Sequence, residues 1–345
     1  MKQHYSFMSK CFCAIFLAMI VYFANVKQAR AQTQVATLKH GNQISAFYGA
    51  TALSDAHEAA EAGDVITLSG GVYVIETITK ALTIRGTGFV TDEITGTAPT
   101  MITSDVVATV PNSEGSLSVE GVLFSSTFTA NCLSSPHFIN CYFGSFVTGE
   151  NTVMMSQPEF FNCRFNTINI SQATNSNFHN CILWHVENYG PGEGMVAYNS
   201  YIYNHRIGST SSSNGTNAMS IFNCIIHGNW LSSNSIAVNC IGLGGGQYPF
   251  GDAMQENCWQ YDSHSIVFET FDGSSYNPLT ESLVLKEEIA STHLGTDGTE
   301  VGIYGGTTIP GANRPNYLRI KHCTVGERTT DDGHLSVDIE VVTEE

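Results

Sequence analysis

The sequence predicts an all-β protein of the β-solenoid type, and three observations carry that prediction. The dipeptide Asn-Cys recurs at Asn140-Cys141, Asn162-Cys163, Asn180-Cys181, Asn223-Cys224, Asn239-Cys240 and Asn257-Cys258. Asn199, followed by Ser200, fills the gap, so the asparagines are spaced by 22, 18, 19, 24, 16 and 18 residues. Between them lie β-branched and aromatic runs punctuated by Gly, Ser and Asn, the pattern of stacked coils of strand with loops of variable length. Ahead of the repeats stands a short amphipathic helix, where a solenoid has to cover its first apolar rung and unpaired strand edge. A leucine-rich repeat has a similar period, but its Leu-x-x-Leu-x-Leu pattern is missing.

Taken in order, the chain of 345 residues opens with Lys2 and Lys10, an apolar run over 11–24 and Ala29-Arg30-Ala31. Basic start, short apolar run and small-x-small site read as a secretory signal peptide over 1–31. The apolar run is shorter than the roughly 20 residues of a membrane span. The body then divides into a β-helix over 32–309 and a C-terminal β-hairpin segment over 310–345. Ala52, Leu53, Ala56, Ala59 and Ala60 place a capping helix at 51–62, with Thr51 or Ser54 as cap and Gly63-Asp64 as its end. Val65-Ile66-Thr67-Leu68 and Leu82-Thr83-Ile84-Arg85 read as the first strands. Glu120-Gly121-Val122-Leu123-Phe124 is an earlier copy of the repeat, so the coils run from about 117 to 260. Past Pro310, strands over 317–325 and 335–342 flank Thr330-Asp331-Asp332-Gly333, a hairpin signal.

Two stretches make the resemblance specific. Leu53-x-x-Ala56…Ala60-x-x-Gly63-Asp64-Val65-Ile66-Thr67-Leu68…Gly71-Val72-Tyr73 resembles the opening of exported bacterial right-handed parallel β-helix proteins of the pectin-lyase-like class. Asp297-Gly298-Thr299-Glu300-Val301-Gly302-Ile303-Tyr304-Gly305-Gly306 resembles the closing motif of bacterial members. The resemblance implies a right-handed parallel β-helix. It says little about activity, because that fold hosts lyases, hydrolases, adhesins and structural proteins.

Six repeated cysteines raise the question of chemistry. Equivalent residues on successive coils stack about 4.8 Å apart. A column of asparagines at a turn can then pair amides with neighbouring coils and satisfy polar groups. Cysteine, as a small apolar side chain, suits the inward position beside it. The leading expectation is therefore an Asn ladder next to a thiol column. A disulfide between coils is the rival, since the spacing permits one and export favours it. Metal binding is a third reading, weakened by the lack of Cys-x-x-Cys. Cys132 and Cys323 fall outside the column. No metal and no cofactor is expected.

With Cys inward, alternation puts Phe143, Phe165, Leu183, Ile202 and Ile226 inside as well. It puts Tyr142, Arg164, Ile182, Tyr201 and Ile225 outside, with Gly144, Asn166, Trp184, Tyr203 and His227 in the next outward column. His185, Glu187, His205, Arg206 and Trp230 lie just beyond. Tyr142, Arg164, Trp184, Tyr201, Tyr203, His227 and Trp230 form the expected ligand-binding set, because rings suit sugar faces and guanidinium suits hydroxyls and carboxylates. The alternative is that these rings pack under a loop or the terminal β element. The candidates for proton transfer are His185, Glu187, His205 and Arg206.

Charge bounds the function. Fourteen Lys and Arg stand against 31 Asp and Glu, a balance of −17. The leader holds four of the basic residues and no acid, leaving 10 against 31, or −21. Such a surface repels nucleic acid. From 106 to 251 there is no Asp and no Lys, only six Glu, Arg164 and Arg206. Calcium-dependent lyase chemistry needs clustered carboxylates, and glycoside hydrolysis usually needs two facing ones. Of the six, Glu150, Glu159, Glu187 and Glu193 could still supply a pair. The motif-like Asp331-Asp332-Gly333-His334 and Arg319-Ile320-Lys321 fall in the hairpin rather than on coils. The expectation is an exported, non-enzymatic protein that binds a polysaccharide or a surface partner. A polysaccharide lyase or hydrolase is the alternative, and a purely structural component docked through its C-terminal segment the third.

Overall fold

The computed structural model describes residues 34–92, 95–111, 113–149, 155–189, 194–205, 219–228, 231, 233–244, 249–273, 277, 282–306, 319–329 and 335–342. The expected leader lies outside the described residues. The body is a right-handed parallel β-helix of about 8 turns. Two long sheets run its length. Each coil lays a short strand in the first sheet, such as Glu159–Phe161, and then a strand in the second, such as Arg164–Ile170.

The repeated asparagine is the corner between them. Asn140, Asn162, Asn180, Asn199, Asn223, Asn239 and Asn257 all have φ between 47° and 55°, a left-handed conformation that Asn tolerates better than most residues. Gly121 holds the same corner one coil earlier at φ 65°. Each corner N–H donates to the next coil: Asn140 to the Phe161 carbonyl at 2.9 Å, Asn162 to His179 at 2.9 Å, Asn180 to Tyr198 at 3.1 Å. A second left-handed corner precedes the first-sheet strand, at Ser135, Gln157, Asn175 and Gly194.

Between the sheets lies a core of stacked rings. Phe138, Phe160 and Phe178 stack at 5.2 and 4.8 Å from the first sheet, and Phe124, Phe143 and Phe165 at 5.1 Å per step from the second. The columns meet edge to face, as between Phe160 and Phe165 at 5.2 Å and 81°. Such pairs contribute about 0.5–1.5 kcal/mol each beyond the burial itself. Cys141, Cys163, Cys181, Cys224 and Cys240 point into this core and are free thiols, with Ser200 in the same column. Each S–H faces a carbonyl of its own turn and one of the coil before, as Cys163 Sγ does to Phe161 and Phe138 at 3.4 and 3.3 Å. Burial pushes the Cys163 and Cys240 thiols well up. Cys258, half-buried on the last coil, is instead brought down to about 7, chiefly by a hydrogen bond with Cys240.

Both ends are closed by parts of the chain itself. At the N-terminal end, strand Val35–His40 pairs antiparallel with Val65–Leu68 and with Gln43–Tyr48, so the first coil's edge is paired. Helix α1 (Ala52–Ala59) adds Ala52, Leu53 and Ala56 to the core. Lys80 Nζ donates to the carbonyls of His57, Glu58 and Ala60 at 2.7, 2.9 and 2.7 Å, satisfying the open end of that helix. At the other end Gly242 occupies an inward position. A Cβ there would lie 2.5 Å from Pro249 and 2.7 Å from Phe250, so the missing side chain makes room for the buried Phe250 ring. Strands Arg319–Thr329 and Leu335–Val342 pair antiparallel as the terminal hairpin. Among the described residues, no helix is long and apolar enough to cross a membrane.

Candidate functional site

The side chains that alternate outward from the second sheet fall into two columns. Register aligns Tyr142, Arg164, Ile182, Tyr201, Ile225, Ile241 and Trp259 in one. The next outward column aligns Tyr203, His227, Leu243 and Tyr261. Trp184 precedes Tyr203 there, and Asn166 precedes Trp184, since Trp184 N donates to the Phe165 carbonyl at 3.0 Å. Apart from His227, the face is therefore made of aromatic and aliphatic side chains in both columns from Ile182 onward, an area that water penalises.

The chain covers it with its own C-terminal part. Helices α2 (His264–Val267) and α3 (Glu287–Ala290), with the loops around them, lay Val267, Phe268, Phe271, Leu285, Ile289 and Val301 over the columns. Tyr201 ends fully buried, and Ile225 and Ile241 at 2 % exposure or less. The closing motif anchors this roof to the Asn corners. Gly302 N donates to the Asn223 carbonyl at 2.8 Å, and Thr296 N to Asn223 Oδ1 at 3.0 Å. Asn180 Nδ2 donates to the carbonyls of Ile303 and Gly305 at 3.0 and 2.7 Å. A Cβ on Gly305 would sit 2.6 Å from Asn199 Nδ2, so glycine is needed for this approach. The bonds of Asn180 and Asn223 thus run to the roof, where a pure coil-to-coil ladder was expected. Among the described residues, Asn199 Nδ2 is buried with no hydrogen-bond partner.

Two tyrosine–histidine contacts fasten the roof. Tyr201 Oη lies 3.0 Å from His264 Nε2, and Tyr261 Oη lies 2.7 Å from His293 Nε2. His293 Nδ1 bonds Thr292 Oγ1 at 2.8 Å, and its ring sits 4.4 Å from Trp259. Burial, then the nearby His227, push His264 down to about 4, with Asp272 opposing. Burial also lowers His293 and His227. The rings of Trp184, Tyr203 and His227 continue as one stack at 3.7 and 4.6 Å.

Toward the N-terminal end a second, smaller cover appears. Phe89, buried, lies 6.3 Å from Tyr142, and the Arg164 guanidinium sits 5.4 Å from its ring centre, a cation–π contact. Asn166 is exposed, while Arg164, Trp184 and Tyr203 are half-buried. This strip, between the Phe89 cover and the roof, is where the face meets solvent.

The proton-transfer candidates gain less support. His185 is half-buried, and its carbonyl accepts from Ile168 N at 2.8 Å. Glu187 is the extra residue of a bulge, since Val186 and Asn188 face the consecutive Ile168 and Asn169. His205 ends the strand Tyr201–His205 opposite Gly228. Arg206, Trp230, Glu150 and Glu193 lie outside the described residues. Glu159 pairs with His137 at 3.0 Å on the first sheet, away from the expected face. Among the described residues, no three His, Cys, Asp or Glu groups could hold a metal.

Sequence reasoning missed a second ring-bearing column, on the outside of the first sheet. Phe161, His179, Tyr198 and Phe222 stack at 4.8, 5.0 and 5.1 Å within 15° of parallel. Their position immediately before each corner asparagine is the signal that could have found them. Stacked this way, the rings spend their faces on one another and show edges to solvent. No known protein family, no curated protein and no solved structure matches the chain.

Proposed function

We propose that the chain is an exported, non-enzymatic β-helix protein of the pectin-lyase-like class, which binds a glycan across the strip of Arg164, Asn166, Trp184 and Tyr203. The observation that carries this reading is the parallel pair of Trp184 and Tyr203, 3.7 Å and 2° apart, kept half-buried beside the exposed Asn166. The solvent-side edges of the stacked indole and phenol offer apolar contact to a sugar, and the adjacent amide and guanidinium offer hydrogen bonds to its hydroxyls. Adjacent strands put these groups about 4.8 Å apart along the axis, a spacing suited to a polymer laid lengthwise. The balance of −17 disfavours polyanions, so a neutral glycan is the expected ligand.

Binding assays against neutral and acidic polysaccharides test it. Trp184→Ala with Tyr203→Ala should weaken neutral-glycan binding by on the order of 100-fold, as the loss of two aromatic contacts implies, with the far-UV spectrum unchanged. Retained binding in that double variant would remove the strip from the site. New reducing ends or unsaturated products would replace the non-enzymatic reading by a lyase or hydrolase.

A further inference from the structure

We infer that the roof formed by residues 264–273 and 282–304 is an acid-released cover, held shut at neutral pH by the two Tyr–His clasps and opening from intact coils when both imidazoles take up a proton. The inference rests on a repeated construction. At each clasp a roof histidine is set against a tyrosine of the second sheet, Tyr201 with His264 and Tyr261 with His293. The two histidines are only 5 % and 7 % exposed, so a charge on either has little water to solvate it.

Around His264 lie the rings of Phe268 and Phe271 and, at 4.6 Å, the ring of His227. Gly273 passes so close that a Cβ there would fall 2.2 Å from His264 Nδ1. Protonation would bury a cation against a second titratable imidazole and leave the Tyr201 hydroxyl only the acceptor role toward Nε2–H. Around His293 lie Tyr261, Trp259 and Thr292, none of which supplies a negative charge, while the Ile289 carbonyl favours its charged form and opposes release.

Other charged groups of the roof set the balance. Asp272 favours the charged form of His264 and opposes release. Glu300, raised by burial, gains a proton more readily in the closed roof and also opposes release in acid. Lys286 bonds the Ser265 carbonyl at 2.6 Å.

The sign follows from proton uptake. An opened roof exposes histidines that titrate near 6.5, whereas the closed roof holds His264 near 4. The open form therefore binds more protons between those values, and closure weakens as pH falls through that window and levels off below about 4. For His264 alone, the closed-to-open ratio should drop on the order of 100-fold between about pH 7 and pH 4.

Hydrogen exchange read by mass spectrometry on the full chain, corrected for intrinsic rates, decides the matter. Peptides from 264–273 and 282–304 should lose protection on the order of 100-fold at about pH 4 relative to about pH 7, while Tyr142–Thr148 and Arg164–Ile170 keep theirs. Equal protection of the roof at both pH values would overturn the inference. So would simultaneous loss in roof and coils, which is general acid unfolding. His264→Gln with His293→Gln should hold the roof closed in acid; an unchanged acid response there would assign release to carboxylates and overturn it. Should that variant be open already at neutral pH, NMR titration of the two imidazoles in the unaltered chain decides: midpoints at or above the ordinary value refute the clasps.

Discussion

On the outside of the first sheet, the column Phe161, His179, Tyr198 and Phe222 stays at the surface, with Tyr198 36 % exposed. On the outside of the second, Ile182, Tyr201, Ile225 and Ile241 are sealed to 2 % or less. The two faces have the same backbone, the same coil spacing and a similar supply of rings, so strand geometry does not explain the difference. The companion columns do. Beside the open rings stand Glu159, Asn177, Val196 and Ser220, three of them polar groups that water solvates. Beside the sealed column stand Trp184, Tyr203, His227, Leu243 and Tyr261, so rings and aliphatic side chains fill both columns and a bare face would leave a continuous, largely apolar patch. Residues 264–273 and 282–304 cover that patch, and among the described residues nothing comparable covers the other.

The largest test of this contrast removes apolar contact from the roof. Phe268 is 1 % exposed and meets Tyr201 edge to face at 5.8 Å. Phe268→Ala should destabilise the roof by about 3–5 kcal/mol, seen as a separate early transition in chemical denaturation while the coil transition stays in place. A single transition shifted as a whole would mean that roof and coils form one cooperative unit.

A middle-sized effect is expected at the corners, because identical asparagines there have different surroundings. Asn180→Gly keeps the left-handed corner and deletes the amide that bonds Ile303 and Gly305; it should cost about 1–3 kcal/mol. Asn257 holds the same φ of 50° on the last coil but is exposed, so Asn257→Gly should cost a few tenths of a kcal/mol at most. Equal costs at the two sites would show that the amide bonds to the roof contribute nothing.

The corner asparagines also mark what the sequence made legible. A left-handed residue between two strands, followed by an inward small side chain, restricts composition strongly, so Asn-Cys recurs and sets the register of every coil. Inward Phe143, Phe165, Leu183, Ile202 and Ile226 follow from that register by alternation, and all are fully buried. The other corner, at Ser135, Gln157, Asn175 and Gly194, uses a different residue each time and leaves no pattern to read. The hairpin over 35–48 was illegible for another reason: its outer strand is exposed along nearly its whole length and shows no alternation. The roof is a long-range match between dispersed residues, such as Tyr201 with His264, 63 positions apart. Expectation placed a cover over the aromatic face as one of three readings; it could not identify residues 264–273 and 282–304 as that cover, because they carry no repeat.

The smallest effect belongs to the open face and bears hardest on the comparison. Tyr198 stacks between His179 at 5.0 Å and Phe222 at 5.1 Å, yet remains 36 % exposed. Cross-strand ring pairs on a solvated sheet contribute about 0.2–1 kcal/mol each. Tyr198→Ala should therefore cost no more than about 1–2 kcal/mol, several-fold less than Phe268→Ala, and the loss should appear in the coil transition rather than the roof's. It should also move the titration of His179 toward its ordinary value, because burial is the first cause of its lowered pKa and the Tyr198 ring supplies part of that cover. A cost as large as that of Phe268→Ala would mean the first sheet's rings are as thoroughly packed as the second's, and the distinction between an open face and a covered one would fail.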